Sequence, residues 1–480
     1  MKKIIIPLLL AAFCARAEFS DTPAQKAARA EKLLRAKTVQ IDTEFPYYQN
    51  RSADSIASEI EVNGLDGVYY FVLRAPAVRR EIIDELQKRS IPVALMTLPA
   101  MVYLSESELD ALLPTGWREW KMEFTGNAMD QYIFIGFNYP EYRTWYKPYL
   151  IRTLQDNNFD GFTFAEVMYP ITDGPERNPP FYGDVSPNFK HDFMRATGSR
   201  SFPDFTHPDS PDYFKRNLDL YLKLVEYRVS VINDFYDDII NSPDGVRAAV
   251  PGIKVATWTL GINLPDGINK LRTWEGNDIS AMISKVRPDI HFVQTHAPDW
   301  SNPALPPDYP LAYLPFFLEI QQTDPHVKIA LQADLGSTEA ARRDPEWCKK
   351  FYEAVRKAGV DTTTYYEFSL RWKVYNAAPE LRAIESDGTT AKLRFDQRLG
   401  ADSAAVITGR RIGGSTVLDA RVDGNTLIVE LDLPLVEGKL TSLDVSGICD
   451  DPQVRFGRDK GKTNVSDVKR SRALKVEPMR

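Results

Sequence analysis

Asn158-Phe159-Asp160-Gly161-Phe162-Thr163-Phe164-Ala165-Glu166-Val167-Met168-Tyr169-Pro170 is the stretch on which the reading of this chain turns. Its middle is short, apolar and aromatic-rich, the composition of a strand buried on both faces. It runs into a carboxylate, Glu166, and a proline stops it four residues later. In a closed barrel of parallel strands, chemistry is done at the strands' carboxyl ends. A strand-end glutamate is therefore a candidate acid or base. Taken alone, such a residue is more often held in an ion pair by a neighbouring Arg or Lys.

Outward from this stretch, strand-like and helix-like segments alternate. Residues 22–36 read as a helix and 38–44 as a strand ending in Asp42 and Glu44. A helix with a Ser or Asp cap follows over 52–60, then a strand over 67–73, a helix over 77–88 and a strand over 91–96. Beyond the opening stretch come a long helix (212–240), a strand (253–258), a short helix (279–286) and strands over 290–296, 327–334 and 361–367. A helix over 346–357 separates the last two. Such alternation implies a parallel sheet. Eight strands over roughly 340 residues predict an α/β fold, a (β/α)8 (TIM) barrel with enlarged loops. The competing open doubly wound sheet lacks support, because no Gly-rich turn follows the first strand; no dinucleotide or other cofactor is expected.

Two loops, 98–138 and 168–211, are too long for plain connections and are rich in aromatics, Pro and Gly. They read as walls of a cleft, or as lids over the barrel. Near residue 378 the rhythm changes to short alternating runs over 392–395, 404–407, 417–422 and 426–431. Asp423-Gly424 gives a hairpin signal before the last of these. The expected organisation is a signal peptide over 1–17, a catalytic barrel over 18–378 and a small all-β sandwich over 379–480.

The leader reading rests on Lys2 and Lys3, the apolar run 4–13 and Ala15-Arg16-Ala17 as a small-x-small cleavage site. It predicts an exported protein, periplasmic or extracellular. No segment is long and apolar enough to span a membrane. Beyond the leader only Cys348 and Cys449 remain, read as two free buried thiols, and no Cys/His spacing suits a metal. A net charge of -7 speaks against nucleic acid as a partner. The 22 Tyr and 8 Trp suit stacking on sugar rings, though large cores also use them.

In a barrel the strand ends converge. Asp42 and Glu44 would come from the first strand, Glu166 from the fourth, Trp258 from the fifth, and Gln294 and His296 from the sixth, with Asp299 and Trp300 just beyond. Gln332 and Asp334 would come from the seventh, and Tyr365, Tyr366, Glu367, Arg371 and Trp372 from the eighth. Carboxylates beside ring-stacking residues are the tools of glycoside hydrolysis. One carboxyl protonates the leaving oxygen while another attacks the anomeric carbon or activates water. Glu166, Glu367 and Asp334 are the catalytic candidates. Asp42, Glu44, Trp258, His296, Gln332, Tyr365, Arg371 and Trp372 are the candidate carbohydrate-binding residues. Each has a bland counterpart: an ion pair of Glu367 with Arg371, a helix cap at Asp334, a core histidine at His296 and core packing for the tryptophans.

Three segments resemble bacterial (β/α)8 glycoside hydrolases, especially their hypothetical glycosyl-hydrolase-like groups. They are the run from Asp160 to Glu166, Asn138-Tyr139-Pro140 with Tyr142 and Trp145, and Tyr182-Gly183 leading to Phe193. The resemblance implies that Glu166, ending strand four, is the acid/base, although Ala165 stands where that clan usually has Asn. It implies a glutamate nucleophile at the end of strand seven. Glu367 fills that role if one strand too many is counted. Otherwise Asp334 or Glu367 is the base of an inverting enzyme. The run from Val422 to Leu435 resembles Ig-like β-sandwiches appended to secreted enzymes, which implies packing or substrate presentation. The expectation is a secreted glycosidase acting on an oligo- or polysaccharide. A non-catalytic carbohydrate-binding protein on a degenerate barrel is the alternative.

Overall fold

Eight parallel strands follow one another in chain order: β1 (Thr38–Ile41), β2 (Gly67–Phe71), β3 (Val93–Thr97), β4 (Gly161–Phe164), β5 (Lys254–Leu260), β6 (Ile290–Gln294), β7 (Lys328–Ala333) and β8 (Thr362–Tyr365). The computed structural model describes residues 21–126, 130–170, 174–176, 180–336, 338–366, 377–451 and 463–479. The expected leader over 1–17 lies outside them, as do Glu367, Arg371 and Trp372. The sheet closes on itself: Lys37 bridges Thr363 in parallel, and the Thr38 hydroxyl donates to the Thr363 carbonyl at 2.8 Å. Closure removes the free edges, and every residue of β1, β3, β4, β6 and β8 is buried. This is the (β/α)8 barrel that the alternation predicts.

Helices begin where side chains can hold their free N–H groups. Thr22 caps α1 (Pro23–Lys32) with Gln25 in a capping box, and Ser52 caps α2 (Ala53–Val62). The helix α3 (Arg80–Lys88) packs on α2. Asn217 caps the long helix α4 (Leu218–Asn241), so that helix starts later than the pattern over 212–240 suggests; turns fill the difference.

The Asp160-Gly161 pair serves the opposite end of the barrel from the candidate site. Arg29 of α1 donates its Nε to both Asp160 oxygens at 3.0 Å, and Val93 N–H and Gln87 donate to Oδ2. Gly161 permits close approach, since a Cβ there would lie 2.9 Å from the Lys254 carbonyl oxygen of β5 and from Leu33.

The second sheet holds β9 (Leu381–Asp387), β10 (Thr390–Phe395), β11 (Arg411–Ile412), β12 (Ser415–Asp423), β13 (Thr426–Leu431), β14 (Leu440–Thr441) and β15 (Leu474–Pro478), in the order β11-β12-β13-β10-β9-β15-β14. Its core includes Ile384, Leu393, Phe395, Leu427 and Val429. The run 404–407, read as a strand, is instead the end of a helix, Ser403–Ile407. The Asp423-Gly424 hairpin forms as expected, and its tip docks on α2: Asp423 accepts from Ser52 N–H and Oγ. Asp54 of α2 meets Lys392 and Arg394 at 2.9 and 2.8 Å. Cys348 is buried and Cys449 half-buried, both unbridged.

Candidate active site

A cavity of about 420 Å3 opens at the carboxyl ends of the barrel strands. Its lining is partly apolar, with Phe45, Phe71, Leu73, Met96 and Leu98. It also holds two carboxyls, Asp42 and Glu166, the amides of Gln40, Gln294 and Gln332 and the phenols of Tyr103 and Tyr366. Asp42 is the residue after β1 and Glu166 lies two residues beyond β4, so the carboxyls come from strands three places apart around the ring. Apolar side chains with a few amides, phenols and carboxyls among them are the make-up of a small-molecule site.

Both carboxyls hold their protons unusually well. Burial pushes Glu166 up to about 7. Among the described residues, no hydrogen bond reaches its carboxyl to favour the ionised form. Asp42 rises to about 6, mainly through burial and with help from the Glu44 charge, against an opposing N–H donated by Glu44 at 2.9 Å. The glutamines are held in place from behind. Gln332 Oε1 accepts from the Trp258 indole at 2.9 Å, and Gln294 Oε1 accepts from the Tyr366 hydroxyl at 3.2 Å. Gln40 Oε1 is buried with no hydrogen-bond partner among the described residues.

A further acid lies behind this wall. Glu275 ends a π-helical turn, Leu271–Glu275, and is fully buried, with neither carboxyl oxygen hydrogen-bonded among the described residues. Burial, reinforced by the Glu166 charge and opposed by Arg228, pushes it up to about 8. The turn is fastened to the segment after Glu166, because Tyr169 N–H donates to the Glu275 carbonyl at 3.0 Å.

Of the residues expected at the strand ends, Asp42, Glu166, Gln294, Gln332 and Tyr366 line the cavity. Trp258 does not offer a ring face: it is fully buried, and its indole props Gln332. Tyr365 points into the barrel wall, packed on Phe351 and Tyr352, and the next residue, Tyr366, takes the cavity position. Glu44 faces solvent in an ion pair with Arg74 at 2.9 Å. His296 is absent from the lining; its N–H donates to Tyr313, which in turn holds Asp299. Asp334 is absent from the cavity lining; its carboxyl accepts the Gly336 N–H at 3.2 Å, near Arg343 and Tyr309. Glu367, Arg371 and Trp372 lie outside the described residues.

The two long loops behave differently. Leu98 and Tyr103 bring the first to the cavity, as a wall should. The second instead buries Tyr182, Phe189, Phe193 and Phe205 in an aromatic layer. Gln40 and Tyr103 escaped the sequence reading. Gln40 carried a usable signal, being polar inside a strand whose other residues are buried. Among the described residues no three His, Cys, Asp or Glu side chains gather as a metal site would require.

No family model matches this chain, and no curated protein does. Among solved structures, the glycoside hydrolase domain of PgaB (BpsB) from Bordetella bronchiseptica is similar with a TM-score of 0.52 at 12% identity, over 71% of this chain and 96% of that one. The fold is shared with a glycoside hydrolase. Weaker likenesses include the endo-β-1,4-mannanase of Thermotoga petrophila (TM-score 0.42, 10% identity, 94% of this chain and 100% of that one). Another is the β-galactosidase of Rahnella sp. R3 (TM-score 0.46, 11% identity, 70% and 51%).

Proposed function

We propose that this chain is an exported glycoside hydrolase in which Glu166 is the general acid and Asp42 the second carboxylate. The observation that carries the reading is the pair of carboxyls in one cavity at the barrel's carboxyl end, both shifted towards neutrality but unequally. Two acids pushed apart in this way divide the labour. Glu166 keeps its proton to about pH 7 and can deliver it to the leaving glycosidic oxygen. Asp42 ionises first and can attack the anomeric carbon or draw a proton from water. The apolar side chains take the face of the sugar ring, and the glutamines and phenols take its hydroxyls. Glu367, one residue past the cavity-lining Tyr366, is the competing second carboxylate. Asp334, which is absent from the cavity lining, is the weaker candidate. Export follows from the leader-like residues 1–17.

The test is turnover of 4-nitrophenyl glycosides and of an oligosaccharide panel by the parent chain and by Glu166→Gln, Asp42→Asn, Glu367→Gln and Asp334→Asn. Loss of a general acid or base costs roughly 10^2- to 10^4-fold in rate. That loss is expected for Glu166→Gln and for Asp42→Asn, with sugar binding retained, and Asp334→Asn is expected to lower stability with turnover kept. Binding by a parent that turns over no glycoside on the panel would replace this reading with that of a carbohydrate-binding protein.

A further inference from the structure

The cavity's β1 wall is not held by the barrel alone. The segment after β1 carries Asp42 and Phe45 into the cavity, then folds into a 3-10 turn, Pro46–Tyr48. Internal bonds make it one compact loop: Phe45 N–H donates to the Asp42 carbonyl at 3.2 Å, and Gln49 Nε2 donates to the Thr43 carbonyl at 2.5 Å. The loop's exit is gripped from the second sheet. Arg398, which follows β10, brings Nη1 within 3.2 Å of the Pro46 carbonyl, 2.7 Å of Tyr47 and 2.8 Å of Gln49. Its Nε is anchored on Asp451 at 3.1 Å, and its backbone N–H donates to the Tyr47 hydroxyl at 3.3 Å. One guanidinium thus gathers three carbonyls of a loop that starts in the cavity.

The composition of the second unit points the same way. Sugar-binding modules need exposed ring faces, yet residues 377–480 contain no Trp and no Tyr, although the chain has 8 and 22 of them. The described phenylalanine, Phe395, is fully buried. The exposed large apolar residues described there, such as Leu418, Leu433 and Val436, are aliphatic. Among the described residues, this surface offers no exposed aromatic platform for a glycan.

We propose that the C-terminal β unit is a structural part of the active site, and that Arg398 is the positioning residue that sets the loop bearing Asp42 and Phe45. Its consequence for turnover rests on the reading of Asp42 given above, whereas the grip on the loop does not. Hydrogen–deuterium exchange on the full-length chain therefore comes first. In Arg398→Ala, exchange across residues 42–50 is expected to quicken about tenfold or more, with β3 to β7 unchanged. Arg398→Lys, with one donor nitrogen, is expected to fall between the two. Lys392→Met removes an interface ion pair that does not touch the loop, and is expected to leave residues 42–50 at the parent rate.

On whichever glycoside the parent turns over, Arg398→Ala is expected to move the acid limb of the pH–rate profile and to lower kcat/KM about tenfold, with partial rescue in Arg398→Lys. An unchanged exchange rate over 42–50 in Arg398→Ala, or equal loosening by Lys392→Met, would overturn the proposal. If Arg398→Ala does not fold, Arg398→Lys and Asp451→Asn decide by the same exchange measurement. A parent without turnover removes the glycosidase reading and leaves the exchange result standing.

Discussion

Glu166 sits at φ +57°, in the left-handed region that residues with long side chains seldom occupy. Such strain costs of order 1–3 kcal/mol and persists where the surroundings over-determine it. Here the turn aims a carboxyl into the cavity directly after β4. The two cavity acids then dictate a pH profile. If the proposed roles hold, turnover needs Asp42 ionised and Glu166 protonated, so kcat/KM should rise through about 6, fall through about 7, and peak narrowly between. Glu166→Gln should abolish the falling limb. Glu275 behind them acts on stability. Its carboxyl ionises near 4.5 when unfolded and about 8 when folded, so the folded chain holds an extra proton between those values. Stability from this group is complete below 4.5 and is lost as pH rises towards 8, by of order 5 kcal/mol across the window. The thermal midpoint of the parent is therefore expected to fall more steeply from pH 5 to pH 8 than that of Glu275→Gln. Equal slopes would show that Glu275 is solvated or paired.

At the scale of elements, eight strands were legible because burial on both faces leaves short apolar runs separated by helical periodicity. The phase of the side chains was not legible. Tyr365 and Tyr366 are the same residue type on neighbouring positions, and which one meets the cavity depends on where β8 leaves the sheet. Trp258 misled for a related reason, since the tryptophan that ends the expected strand lies inside a longer β5, which runs on to Leu260. Asp160-Gly161 belongs to the same lesson. It looked like part of a catalytic signature, yet Asp160 fastens α1 and Gly161 lets β4 meet β5. A Cβ at 161 would meet the Lys254 carbonyl, and backbone yields less readily than a side chain. Gly161→Ala is thus expected to destabilise by roughly 1–3 kcal/mol in urea denaturation, in the manner of overpacking. A neutral result would mean that β4 and β5 separate freely there.

Across the whole molecule, the sequence shows a change of rhythm near 378 but not the contacts that span it, because pairing of residues over 300 positions apart leaves no periodic trace. Asp54 is the hub. It binds Lys392 and Arg394 of the second sheet and Arg89, the residue after α3, and the Arg394 side chain is fully buried. Burial alone would raise the Asp54 carboxyl, but Arg394 and Lys392 outweigh it and bring the group down to about 2. A depressed acid stabilises above its unfolded pKa of 3.8 and loses that contribution as pH falls to about 2, here roughly 2 kcal/mol. The loss falls at the junction between the two sheets, which have separate cores. One calorimetric transition is therefore expected at neutral pH, dividing into two as the pH drops below about 3. Asp54→Ala should divide it already at neutral pH, because the ion pairs of Asp54 with Lys392 and Arg394 across the junction are lost, while Arg394 and Arg89 keep only ion-pair partners on their own side, Glu385 and Glu61 with Glu85. A single transition in Asp54→Ala at neutral pH would place the coupling elsewhere, on the Arg398 grip or the Asn425 contacts to Ser55 and Ser58.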